Sequence, residues 1–415
     1  MRIENTTRPE SVGMSSDRLD RIGTILEQKY IDSGEIAGIS TLVARRGEIV
    51  HTSQIGQRDR EADVPMTDDT IFRIYSMTKP IISTALMLLH EEARFQLEHP
   101  LANHLPAFGN VQVMEADGSL VAPHRPIEVR DLLMHTSGLT YDFMVDTPVG
   151  ALYREARIMN DATRSLEECI DAVAELPLAF QPGTTWHYSV GIDVAARLIE
   201  VLSGQPLGVF LQERIFQPLA MHDTGFGVPD TAADRLAAMY GLPDLVGLDH
   251  DATKLVEAAF AGDNQRRDVS DTHPADRPDT FARGGYGLFS TIGDYHRFAQ
   301  MLANGGVLDG KHVIGRKTLE LMHTNHLAPE LMPWVLTGIP NPGMGFGLGS
   351  RVMVDVADFR GPGSVGEFGW AGAAKTYYWV DPAEELVGVF MSQYMTGVQL
   401  PDRDFRSLVY GAIID

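Results

Sequence analysis

The chain has 415 residues, 44% of them hydrophobic, enough to bury a large core in one folded unit with two lobes. Its 34 basic against 56 acidic residues leave a net charge of -22, which argues against nucleic acid and anionic membrane as partners. Cys169 is the only cysteine, so no internal disulfide can form and nothing marks an oxidising compartment.

The opening residues, MRIENTTRPESVGMSSDRLDRIG, hold no apolar run of the secretory kind, and no later stretch approaches the roughly 20 apolar residues of a membrane span. A soluble cytoplasmic protein is expected. Residues 14–31 carry the spacing of an amphipathic helix, and 37–59 reads as a hairpin of two strands joined at Arg46-Gly47. Helical periodicity follows at 81–94, 127–134, 150–158, 165–175 and 191–213, interrupted by turn-rich pieces such as HTSGL (135–139) and FQPGTTW (180–186). Residues 240–280 are polar, acidic and rich in Pro, Asp and Arg, which predicts a surface excursion. A helix over 290–302, capped by Ser290 or Thr291, precedes three short strands in GMGFGLGSRVMV, AAKTYYWVDP and LVGVFMSQY. Strands at both ends with helices between predict an α+β fold: an antiparallel sheet flanked by helices. One lobe, residues 1–70 and 285–415, is built from both termini, a mostly helical lobe spans residues 71–284, and the active site lies between them.

The segment FRIYSMTKPIISTALMLL (72–89) poses a chemical question, because Pro80 stands at the front of a helical pattern. Proline is tolerated where helix amides lack internal acceptors, so it places the helix start near Ser76. Ser76 and Lys79 are then three apart on one face, and the Ser76 N–H points outward at the positive helix end, where an oxyanion is favoured. Spacing alone is weak evidence, since a serine and a lysine three apart also arise by chance. Lys79 facing an apolar run is more telling.

SMTKP (76–80), IEVRDLLMHTSGLTY (127–141), FQPGTTWHYSVGIDVAARLIEVLSG (180–204) and GGYGLFSTIGDYHRFAQMLANGG (284–306) together resemble the serine hydrolases related to class C β-lactamases, in order and over about residues 15 to 410. Within that group the likeness is greatest to the family VIII carboxylesterases and the statin-type acyltransferase. The resemblance implies a β-lactamase/penicillin-binding-protein-like fold, with Ser76 as the acylated nucleophile and Tyr188, of Tyr188-Ser189-Val190, as its second-motif partner. The third motif aligns with Trp370-Ala371-Gly372, which makes the Ala373 N–H the second oxyanion donor beside that of Ser76. Lys375-Thr376 is a decoy for that motif, since Tyr377 follows where a glycine is required and the pair falls in a strand.

Trp370 replaces the usual cation, and Val190 replaces an asparagine that would bind an amide; both changes point away from anionic amides and toward neutral esters. Trp370, Gly372, Val190 and Tyr141 are expected to shape the substrate pocket, with residues 328–345, including Trp334, as a lid. Serine needs an adjacent base near pH 7, here the Tyr188 phenolate or the Lys79 amine, with coupled titrations and an alkaline optimum. The expected function is a serine esterase acting on short-chain or aryl esters. Acyl transfer to an alcohol, weak β-lactamase activity and non-turnover penicillin binding are the alternatives.

No cofactor or metal is implied, and the expected partner is a small-molecule ester. His323 and His326 share a helical face but lack further ligands. His135 reads as a turn residue satisfying local backbone, and Asp193 either orients the site or simply sits at a helix start.

Overall fold

In the computed structural model, residue 3 and residues 7–144, 146–241, 264–278, 280–395 and 401–415 are described. The greater part of the expected excursion at 240–280 lies outside them. Strands β1 (Gly38–Arg45) and β2 (Glu48–Asp59) form the first hairpin. Arg46 and Gly47 between them take φ of 53° and 80°, the left-handed pair that a two-residue hairpin turn requires. β3 (Val64–Pro65) pairs with β2.

The C-terminal part contributes β4 (Met344–Phe346), β5 (Arg351–Met353), β6 (Phe368–Gly372), β7 (Thr376–Asp381) and β8 (Leu386–Ser392). These complete an eight-stranded sheet ordered β4-β5-β6-β7-β8-β1-β2-β3, in which β8 pairs antiparallel with β1 and so joins the two ends of the chain. GMGFGLGSRVMV, expected as one strand, is two, β4 and β5, folded back on each other. The backbone of its turn packs so tightly that a Cβ at Gly347 would lie 2.1 Å from the Met322 carbonyl.

Alternation sorts the strand side chains onto two covered faces. Ile39, Val43, Trp379 and Phe390 meet Leu19, Ile22 and Leu26 of the short N-terminal helices and Phe405 and Val409 near the C-terminus. Leu42, Tyr378, Val380 and Val389 belong to the larger core on the other face. With both faces buried, the central strands read as nearly unbroken apolar runs.

Five helices matter for the site: α1 (Thr78–Glu91), α2 (Val129–Met134), α3 (Gly191–Ser203), α4 (Ile292–Ala303) and α5 (Pro401–Gly411). α1 is buried from Thr78 to Leu89 and packs on α3. The Thr291 hydroxyl caps α4 by accepting from the Asp294 N–H at 3.2 Å, one of the two expected caps. The expected helix over 191–213 is broken: Gly204 at φ 72° ends α3, and a separate helix begins at Leu207 after Pro206, the glycine-then-proline stop that ends many helices. The helical middle also holds a short strand pair, Val113–Met114 with Leu120–Val121, that periodicity did not reveal. Among the described residues no single helix is long and apolar enough to cross a membrane.

Candidate active site

The chain reaches the serine through the strand Phe72–Arg73 and a single 3-10 turn, Tyr75–Met77, that runs into α1. Tyr75 has φ 44°, a conformation that costs a bulky residue about 1–3 kcal/mol and that persists where the surroundings enforce it. Its ring is fixed edge-on against His273 at 4.9 Å. Pro80 is the third residue of α1, still within the turn whose amides have no internal acceptor. Ser76 is thus held half-buried at the mouth of a buried helix.

Three predicted residues converge there. Ser76 Oγ accepts from the Tyr188 hydroxyl at 2.7 Å and from Lys79 Nζ at 3.1 Å. Lys79 Nζ also donates to the Gly285 carbonyl at 2.7 Å. The amine stands 4.5 Å from the Tyr188 ring centre and 5.2 Å from that of Tyr141. Lys79 is 1% exposed and, among the described residues, forms no ion pair. Burial pushes its pKa down to about 7, with the Asp193 carboxylate opposing, because an ammonium in apolar surroundings loses its hydration. Burial moves the Tyr188 phenol upward, against the opposing influence of Ser76 and Trp370. At neutral pH the pair is therefore a phenol and an amine divided between its charged and neutral forms.

Aromatic packing fixes the phenol. His135, Tyr141 and Trp370 lie with ring centres 4.8, 5.2 and 5.8 Å from that of Tyr188. His135, read from sequence as a local turn residue, does end α2 in the left-handed conformation. Its ring does more: buried and held below its ordinary pKa by desolvation, it backs Tyr188 and meets the Ser189 hydroxyl through Nδ1 at 3.3 Å.

Gly372 ends β6 directly against the nucleophile's approach. A Cβ there would lie 2.3 Å from the Ile74 carbonyl and 2.2 Å from Thr376 Oγ1, so only glycine lets the strand end dock on the turn that carries Ser76. Thr376 Oγ1 donates to that same carbonyl at 3.1 Å. Gly372, Ala373, Trp370 and Tyr141 all line one cavity with Ser76 and Tyr188. Val190 does not line it. It is 1% exposed at the entry to α3, its carbonyl accepting from the Asp193 and Val194 amides. Val190 is corrected to a packing residue, because the backbone of the α3 entry draws its side chain into the core. Lys375 lies outside the cavity lining, in the turn before β7 at φ 57° and not within the strand.

The cavity encloses about 630 Å³. Phe143, Met159, Tyr286 and Trp334 give its wall much of its apolar surface. Trp334, within the expected lid, is 3% exposed and packs 4.5 Å from the ring of Trp186. The following hairpin, Val335–Leu336 with Ile339–Pro340, continues the wall through Leu336, Ile339 and Pro340. The wall also carries charge, with Arg351 and Arg406 both reaching the buried carboxylate of Glu367. None of these charges was read from the sequence.

Gly285 was not foreseen, although Gly284-Gly285 stands in a quoted motif, and Asp193, read from the sequence as either orienting the site or sitting at a helix start, has contacts of both kinds. Asp193 accepts the Gly285 N–H at 2.9 Å from the first turn of α3. Among the described residues, no group of three or more His, Cys, Asp or Glu side chains is placed to hold a metal ion. His323 stacks on Phe368 at 3.5 Å, and His326 Nε2 contacts the Leu321 carbonyl at 2.8 Å.

The beta-lactamase family profile matches residues 25–411. The chain is 36% identical over 375 residues to an uncharacterized protein of Mycobacterium tuberculosis, covering 88% of each. It is 30% identical over 369 residues to the esterase EstB of Burkholderia gladioli, covering 88% of this chain and 87% of that one. Among solved structures it is similar to EstCE1, described as a hydrolase with promiscuous acyltransferase activity. There the TM-score is 0.79 at 27% identity, over 95% of this chain and 99% of that one.

Proposed function

The chain belongs to the beta-lactamase family, and from that premise we propose that it is a serine esterase that cleaves short-chain or aryl carboxylic esters through an acyl-enzyme on Ser76. The observation that carries this reading is one oxygen with two donors: Ser76 Oγ lies 2.7 Å from the Tyr188 hydroxyl and 3.1 Å from Lys79 Nζ. The esterase EstB and the hydrolase EstCE1 support the reaction class.

Ser76 Oγ attacks the ester carbonyl and its proton passes to Lys79. The amine is the base of choice because burial leaves it about half neutral at pH 7 while the phenol stays protonated. The carbonyl oxygen becomes an oxyanion facing the Ser76 and Ala373 amides, donors each worth about 10²–10³ in rate in comparable sites. As the tetrahedral centre collapses, the leaving alkoxide takes a proton delivered from the Lys79 ammonium through the Tyr188 hydroxyl. The acyl group remains on Ser76. Water, activated by the same amine, adds to the acyl-enzyme and releases the acid.

Acyl transfer is the second reading, favoured by the promiscuous acyltransferase activity of EstCE1 and by a cavity of about 630 Å³, room for an acceptor alcohol beside the acyl group. A p-nitrophenyl butyrate assay of wild type and Ser76→Ala, with and without an added alcohol, tests both. Ser76→Ala should lose about 10⁴-fold or more in kcat. A variant with wild-type turnover would refute the esterase reading, and the ester-to-acid product ratio separates transfer from hydrolysis.

A further inference from the structure

Lys79 is held by two acceptors, and one of them is itself held. The Gly285 carbonyl takes Lys79 Nζ at 2.7 Å, and the Gly285 N–H donates to Asp193 Oδ1 at 2.9 Å. Through one peptide unit a carboxylate on α3 thus grips the backbone that grips the amine. The junction is tight, since a Cβ at Gly285 would lie 2.4 Å from Asp193 Oδ2 and 2.6 Å from the Tyr141 hydroxyl. Any side chain there would push apart the two walls that the network joins.

Asp193 Oδ2 and the Tyr141 hydroxyl are both buried, and neither has a hydrogen-bond partner among the described residues. A carboxylate whose second oxygen is unshared, at a site 2% exposed, acts on its neighbours through space with little screening. The groups that face this pair are few. Around Lys79 stand Ser76, Tyr141, Tyr188 and His135, and around Asp193 stand the Gly285 amide, Tyr141, Tyr188, the Cys169 thiol and the Arg283 guanidinium. Arg283 is 1% exposed and spends Nη2 on the Asp161 and Arg164 carbonyls.

We propose that Asp193 is a positioning residue for Lys79: its carboxylate anchors the Gly285 peptide, whose carbonyl holds the amine against Ser76 Oγ. The inference rests on the esterase reading, in which Lys79 is the base. It gives Asp193 two separable effects, a geometric one through Gly285 and an electrostatic one on the amine. The carboxylate favours the ammonium, so removing its charge lets Lys79 lose its proton at lower pH. Removing the acceptor as well frees the Gly285 carbonyl.

The test compares kcat/KM against pH for p-nitrophenyl butyrate in wild type, Asp193→Asn and Asp193→Ala. Asparagine keeps an acceptor for the Gly285 N–H and loses the charge; alanine loses both. The acidic limb should move to lower pH in both variants. At pH 9, where the amine is neutral in all three, alanine should fall about tenfold further than asparagine, the scale of one buried neutral hydrogen bond. A residue that merely stabilises α3 would lower both curves without moving the limb, and that result would overturn the proposal. Equal rates at pH 9 for the two variants would likewise overturn it, since the Gly285 peptide would then not need its acceptor. If wild type does not turn the ester over at all, the esterase reading fails and this proposal with it. If wild type is active and the limb stays in place, only this proposal fails.

Discussion

Two buried cations, one bonded to a residue of the cavity wall and one in that wall, are accommodated in opposite ways. Lys79, behind Ser76, is 1% exposed and its hydrogen bonds go to a hydroxyl and a carbonyl. The Arg406 side chain is 3% exposed and meets Glu367, itself fully buried. Glu367 also takes Arg351 Nη1 at 3.2 Å and the Tyr410 hydroxyl at 2.9 Å. Desolvation acts on both cations. Where no carboxylate makes contact, the ammonium can yield its proton and the lysine becomes a base; the guanidinium keeps its charge, and its carboxylate partner offsets the cost of burying it and ties β5, the entry to β6 and α5 together. Burial alone does not make a cation reactive. Burial without an acid in contact makes a base of a lysine, whose ammonium can lose its proton, where the equally buried Arg283 guanidinium cannot.

The comparison can be broken at either end. Lys79→Met should cost at least about 10³-fold in kcat, more than about 4 kcal/mol of transition-state stabilisation. Its denaturation midpoint should hold or rise, since a poorly compensated buried amine is replaced by an apolar chain. A midpoint that collapsed would mean that Lys79 is structural. Glu367→Gln should do the reverse, losing about 3 kcal/mol of stability in urea unfolding because two arginines are left without their shared carboxylate. Turnover per folded molecule should change far less than in Lys79→Met. Tyr188→Phe has the smallest expected effect, a fall of about 10²-fold in kcat/KM. The acidic limb of its pH profile should stay near pH 7, as an amine base requires; loss of that limb would assign the base to the phenol.

The asymmetry also explains what could be read in advance. Ser76, Lys79 and Pro80 lie within one helical turn, so spacing and the rules of helix starts brought them out. Tyr188 stands 112 residues from Ser76, and no local pattern joins them; it came from the resemblance carried by Tyr188-Ser189-Val190. The hairpin over 37–59 was legible because strand alternation and a left-handed turn agree. The split of 191–213 was missed although Gly204 and Pro206 are adjacent signals, because apolar periodicity runs across the break. Val190 was misplaced because a motif position fixes a place in the chain and not the direction of a side chain. Glu367, Arg351 and Arg406 left no mark at all. Their pairing depends on β5, β6 and α5 meeting in space, and a charge in a sequence looks the same whether it is hydrated or buried.

The central claim is that Ser76 is activated by an amine that burial has made neutral near pH 7. The most direct measurement is the rate at which a fluorophosphonate inactivates the wild-type enzyme between pH 5 and pH 9, with the labelled peptide identified by mass spectrometry. Such a reagent reports nucleophile activation without a deacylation step. The label should fall on Ser76, and the rate should rise about tenfold per pH unit below pH 7 and level off above about pH 8, as the neutral fraction of a single base with the pKa of Lys79, about 7, does. A rate independent of pH across that range, or a label on any other residue, would contradict it.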